Sequence, residues 1–315
     1  MHKFWKPLVA VVAVGLAAFL LYRTLSGYSI DDLTKAVAAI PVGRLVVAGG
    51  FAAASYICLS GFDYLALRYV GRPLPYHKAA WASFTSLSLG HNIGFAFLSS
   101  GAVRYRFYRR WGLSAEQVAK VVVFCGTTVG IGLMALGGMA LLLRPRLAVE
   151  MTNLSMPLVI TLGVICLALP VLYLVLSAFV RKPLSVWRWS FELPRLRLAL
   201  GQVILGSVNF ACVAACLYQA LAAVTDVSYM GVASAYVIAN TATIISHVPG
   251  GLGVIESVVM YLLPGQNLIG PLLVFRFVYF LIPLFLGLVV LLVTELVFRR
   301  KKRARAALED VPAGA

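Results

Sequence analysis

The chain has 315 residues, 61% of them apolar or aromatic and 12% charged, where soluble domains carry roughly 45–50% and about 25%. The longest interval between apolar runs is 23–44, so no folded soluble domain of ~50 residues, catalytic or otherwise, fits between spans. The net charge of +16, from 27 Lys/Arg against 11 Asp/Glu, points to nucleic acid in a soluble protein; in a chain this apolar it reports orientation in a bilayer, and no nucleic-acid partner is expected.

A span needs ~20 apolar residues. The first run, 4–22, has the basic flank of a signal peptide but no small-residue cleavage site before Arg23, and reads as a retained helix. Full crossings follow at 45–67, 121–143, 156–180, 198–224 and 268–298. Two further apolar regions are interrupted, 79–108 by Gly90, His91, Asn92, Gly94 and Gly101, and 229–264 by His247 to Gly251. Polar and glycine-rich backbone at membrane depth is tolerated only against protein or a wet cavity, so both regions are expected to be re-entrant hairpins. The fold class is therefore an all-α polytopic membrane protein with six full crossings and two hairpins, about eight apolar regions by hydropathy. All five cysteines fall inside apolar runs without ligand spacing and read as small buried hydrophobes.

Short cytoplasmic loops collect Lys and Arg. With both hairpins re-entrant and both termini cytoplasmic, 21 of the 27 basic residues lie on the cytoplasmic side, five outside, and one, Arg276, within a span. Were 79–108 a full crossing, Arg104, Arg106, Arg109 and Arg110 would lie outside.

His91-x-x-Gly94 with Tyr105 recurs as His247-x-x-Gly250 with Tyr261, both displaced by 156 residues. The expected organisation is a first membrane repeat at 1–150, an inverted second repeat at 151–298, and a basic cytoplasmic tail at 299–315. Inverted repeats with broken helices belong to secondary transporters, whose sites lie where the hairpins meet.

Ionisable groups at membrane depth are costly and functional by default. Asp63 lies five residues before Arg68 and reads either as a buried site residue or as an interfacial, snorkelling carboxylate. Arg276 is too far from either interface to snorkel and should pair with Glu256, the nearest acid in sequence, structurally or functionally. Gly250, Gly251 and Gly253 precede an apolar helical stretch, where free N–H groups favour an anion such as phosphate or where glycines allow close packing. The motif lacks the Lys-Ser/Thr of a nucleotide loop. His91, Asn92 and His247 suggest hydrogen-bonded hairpin tips, with a proton relay as the alternative. With so few carboxylates they make a poor metal set, and no cofactor is implied. The run Arg104-Tyr-Arg-Phe-Tyr-Arg-Arg-Trp111 reads as a cytoplasmic interface for anionic lipid headgroups, with Arg104 and Arg106 receiving them, or as anchoring alone.

Ser246-His247-Val-Pro249-Gly250-Gly251-Leu-Gly253-Val-Ile-Glu256, followed by Phe275-Arg276-Phe-Val-Tyr279-Phe-Leu-Ile-Pro283, resembles the C-terminal signature of the lysylphosphatidylglycerol synthase transmembrane family, and Gly90-His91-Asn92-Ile-Gly94 with Ser100-Gly101-Ala-Val-Arg104-Tyr-Arg106 its N-terminal counterpart. Ile255 stands where such motifs often carry Phe. The chain is similar to the flippase half of the multiple peptide resistance factor, and the resemblance implies a bacterial inner-membrane, multi-pass flippase for a phospholipid such as aminoacylated phosphatidylglycerol. In that role the Gly250–Gly253 tip and Arg276 hold the phosphate, while Glu256 and Asp63 hold an amine or a coupled proton. Lysyltransferase activity is not implied, since residues 306–315 are too short for a transferase domain, and the chain is expected not to be an enzyme. Two other readings remain open: a membrane partner or anchor of a separately encoded lipid synthase, and an integral-membrane lipid transferase. A homo-oligomer is compatible with each.

Overall fold

The computed structural model describes residues 30–93, 96–180, 184–186, 189–263 and 268–309; the expected span at 4–22, Gly94 and the last residues of the basic tail lie outside them. In chain order the helices are α1 Ile30–Ala38, α2 Val42–Tyr69, α3 Tyr76–Ile93, α4 Ala96–Arg110, α5 Ala115–Leu143, α6 Pro145–Thr152, α7 Met156–Phe179, α8 Leu196–Leu221, α9 Tyr229–Ser246, α10 Val254–Leu262, α11 Ile269–Arg276 and α12 Ile282–Glu309. A short antiparallel ribbon, Leu184–Val186 with Trp189–Phe191, joins α7 to α8. Five helical stretches among the described residues are long and apolar enough to cross a membrane: Val42–Tyr69, Ala115–Leu143, Met156–Phe179, Leu196–Leu221 and Ile269–Phe298. The protein is a polytopic all-α membrane protein, as lipid demands of chains that must satisfy every backbone group internally.

The antiparallel pair α2 and α8 forms the centre. Arg44 reaches Gln219 at one end, and Ser55 donates to Asn209 further in at 2.7 Å. Towards the other end, leucines seat reciprocally on glycines: a Cβ at Gly61 would lie 2.8 Å from Leu205, and one at Gly201 would lie 2.7 Å from Leu65. Because the pair is antiparallel, α2 hands the chain to α3 at one end and α8 hands it to α9 at the other.

Each interrupted region folds back on itself. In the first, a Cβ at Gly90 would lie 2.8 Å from the Ser100 Cβ, which brings α3 and α4 together near their turn. At the open end Lys78 sits 5.7 Å from the Trp111 ring, so the region enters and leaves on one side. In the second, Gly231 at the start of α9 faces Leu263 beyond α10. The two hairpins thus enter from opposite ends. The flanking packing is reciprocal as well, with α3 against α12 at Ser88 and Gly287, and α9 against α5 at Val237 and Gly137.

The last span is continuous but carries a wide π turn at Phe277–Leu281. π turns loosen the carbonyl ladder and recur at functional sites. Here side chains approach its carbonyls: Tyr56 donates to the Tyr279 oxygen at 3.5 Å and Asn92 to the Phe280 oxygen at 3.4 Å.

Candidate functional site

The second hairpin breaks between α9 and α10 because its residues adopt left-handed backbone. His247 closes α9 at φ 55°, and Gly250, Gly251 and Gly253 follow at 62°, 59° and 78°. At Gly250 the requirement is the left-handed turn, which glycine supplies without strain; the tip of the first hairpin lies directly beside it, where a Cβ would meet the His91 carbonyl oxygen at 3.6 Å and Asn92 at 3.8 Å in ordinary van der Waals contact. The two tips therefore touch.

Arg276 ends α11 at that contact. Its Nε and Nη2 donate to the two carboxylate oxygens of Glu256, the latter at 2.8 Å, while Nη1 donates to the Gly250 carbonyl at 2.9 Å and Nη2 also to that of Gly251 at 2.8 Å. Glu256 accepts in addition the Gly253 N–H at 2.9 Å, as the third helical residue does in a capping box. Both side chains are almost fully enclosed, Arg276 at 4% and Glu256 at 7% exposure. Beside them lies a narrow cleft lined by Asn92, Gly250, Leu252, Arg276, Phe280 and Leu281. Its volume, ≈ 10 Å³, is about what one water needs, so the tips are closed in this state.

His91 stacks on Tyr279, ring centroids 6.4 Å apart, and lies edge-on to Phe280. Its Nδ1 is buried with no hydrogen-bond partner among the described residues. His247 is exposed, with Nδ1 2.8 Å from the Ile245 carbonyl of its own helix end.

Asp63 and Arg104 form a second buried pair, at 0% and 2% exposure. Arg104 Nε and Nη2 reach the two carboxylate oxygens at 2.9 and 2.8 Å, and Nη1 donates to Ser100 Oγ at 3.0 Å. Tyr108 donates to Asp63 at 2.6 Å, and Cys125 Sγ lies 3.8 Å away. This corrects the sequence reading of Arg104 as an interfacial lipid recruiter. Ser100, Arg104 and Tyr108 recur at i, i+4 and i+8, so they share one helix face, and that face is turned onto α2. Asp63 is likewise no snorkelling carboxylate. Arg106 is half-buried and bridges to Glu295 at 2.7 Å, as does Arg110, tying α4 to α12 rather than standing free.

Sequence reasoning missed Ser100, Tyr108 and Cys125 around Asp63, although the four-residue spacing of the first two with Arg104 was a usable signal. It also missed the buried bridge of Ser55 to Asn209 and to the Tyr279 hydroxyl, 2.9 Å away, because three separate spans contribute to it.

A family profile described as the lysylphosphatidylglycerol synthase TM region matches residues 9–287. The chain is 31% identical over 312 residues to the uncharacterized protein slr0712 of Synechocystis sp., covering 96% of this chain and 97% of that protein. It is 28% identical over 276 residues to the inner membrane protein YbhN of Escherichia coli, covering 84% and 83% respectively.

Proposed function

The chain belongs to the lysylphosphatidylglycerol synthase transmembrane-region family, and from that membership we propose that it is a bacterial inner-membrane lipid transporter, moving a phospholipid such as an aminoacylated phosphatidylglycerol between leaflets. The observation that carries this reading is the meeting of two oppositely entering hairpins on a buried guanidinium, where Gly250 touches His91 and Asn92 and Arg276 lines the cleft between the tips. Broken helices that meet between inverted repeats are how secondary transporters present main-chain dipoles to a polar cargo within lipid. The headgroup phosphate is received at Arg276 and the Gly250–Gly253 tip, and its cationic part near Glu256. The tips must part for this, since the closed cleft has room for about one water. The name of the Escherichia coli relative, an inner membrane protein, supports the location. The function read here is transport, without group transfer.

The test is a leaflet-resolved assay on the full chain in phosphatidylglycerol vesicles. The wild type is expected to move labelled phospholipid faster than protein-free vesicles do, and the double variant Glu256→Gln with Arg276→Gln to fall to the protein-free rate. Wild-type movement no faster than that of empty vesicles overturns the reading.

A further inference from the structure

We propose that the Glu256 carboxylate is the resident occupant of an anion site formed by Arg276 and the Gly253 N–H, and that it gives way there to the phosphodiester of an entering ligand. The inference rests on the transport reading for the source of that ligand, but its geometry stands apart from it.

Glu256 presents two oxygens to the forked donors Nε and Nη2 of Arg276, and one of them also takes the Gly253 N–H. Two oxygens of one anionic group on a guanidinium fork is the arrangement a phosphate adopts as readily as a carboxylate. What makes the arrangement exchangeable is the rest of the guanidinium. Nη1 and Nη2 are also held by the carbonyls of Gly250 and Gly251 at 2.9 and 2.8 Å, and the left-handed glycines fix those carbonyls in place. If Glu256 swings away, Arg276 stays aimed, with its fork and the Gly253 N–H vacated together. Access opens when the tips part at the cleft that Arg276 lines with Asn92, Leu252 and Phe280.

Charge balance sets the order of events. A guanidinium at 4% exposure cannot be left without a counter-charge except at a large cost, so the carboxylate leaves only as another anion arrives. The closed tip is therefore self-inhibited, and ligand entry is coupled to release of the Glu256 hold on α11.

Glutamine at position 256 keeps a carbonyl oxygen for the Gly253 N–H but loses the charge that competes for Arg276. The experiment is a native mass-spectrometric titration of the detergent-purified full chain with three probes: dihexanoyl-phosphatidylglycerol, inorganic phosphate, and dihexanoylglycerol as the phosphate-free control. Glu256→Gln is expected to bind the phosphodiester lipid at least tenfold more tightly than the wild type, and the Glu256→Gln, Arg276→Gln double variant to lose that gain. Tightening for the lipid with no response to inorganic phosphate assigns a headgroup as the anion; equal tightening for both assigns free phosphate and still supports the exchange. Folded Glu256→Gln with wild-type or weaker affinity overturns it. Should that variant not fold, Glu256→Asp, whose shorter arm withdraws the carboxylate from the fork, is read in the same way, and unchanged affinity there overturns it too. Because these affinities are measured without vesicles, a failure of lipid movement and a failure of the exchange are separate results.

Discussion

Among the described residues two arginine–carboxylate pairs are buried, and they are built differently. At Asp63 the carboxylate takes Arg104, Tyr108 and Cys125 from α4 and α5, side chain to side chain, on uninterrupted helices. At Glu256 the carboxylate takes Arg276 and a main-chain N–H at a helix break, and the arginine takes two main-chain carbonyls of the same break. The first pair is closed on itself; the second borders a cleft at the meeting of the hairpins. The chemistry of the charges is the same in both. What separates a clamp from an exchangeable site is what else each partner holds.

The largest effect is therefore expected at the clamp. Asp63→Asn strands Arg104 at 2% exposure, and breaking a buried pair from one side costs about 3–5 kcal/mol. Thermal unfolding in detergent should show the folded protein lost or strongly destabilised. Replacing both Asp63 and Arg104 by leucine should recover most of that loss, since no buried charge remains. Glu256→Gln should cost less than Asp63→Asn, because Arg276 keeps its bonds to Gly250 and Gly251. Equal losses at the two sites would erase the distinction between them.

Much of this was legible in the sequence, for reasons that differ by region. The spans and the two interruptions follow from composition, because lipid enforces ~20-residue apolar lengths and penalises free backbone. That the first interrupted region returns to the end it entered, rather than crossing, follows from where Lys and Arg collect. The Arg276–Glu256 pairing was within reach because a lone base in an apolar span must find an acid, and one stood nearby. The Asp63–Arg104 pair was not, because Arg104 sits in a run of arginines and aromatics that reads as an interface, and composition does not say which face of α4 turns inward. The contact between tips, Gly250 against His91 and Asn92, joins segments more than 150 residues apart and needed the assembled fold.

A smaller effect separates the clamp's members. Tyr108 is fully buried, and its hydroxyl donates to Asp63 at 2.6 Å. A hydrogen bond to a charged group is worth about 1.5–3 kcal/mol, and Tyr108→Phe removes it with little change in shape. Unfolding titrations should show a loss in that range. Combined with Asp63→Asn the loss should be less than additive, since the two changes remove the same bond. Full additivity would mean that Tyr108 stabilises α4 by packing alone.

The smallest effect is expected at the cleft itself and is a matched test of the two pairs. Asn92→Ala removes a 2.8 Å bond to the Ser88 carbonyl of its own helix and a long 3.4 Å bond to the Phe280 carbonyl of the π turn. Only the second crosses between hairpin and span, and at that length it contributes no more than the low end of the usual ~0.5–1.5 kcal/mol. Ser100→Ala removes one 3.0 Å bond, to Arg104, a charged donor, and should cost more, about 1.5 kcal/mol or above. If melting temperatures rank Asn92→Ala as the more damaging, the tips hold the closed state more strongly than the clamp holds its hairpin. The site at Arg276 would then be the rigid part of the molecule, and the clamp at Asp63 the part that yields.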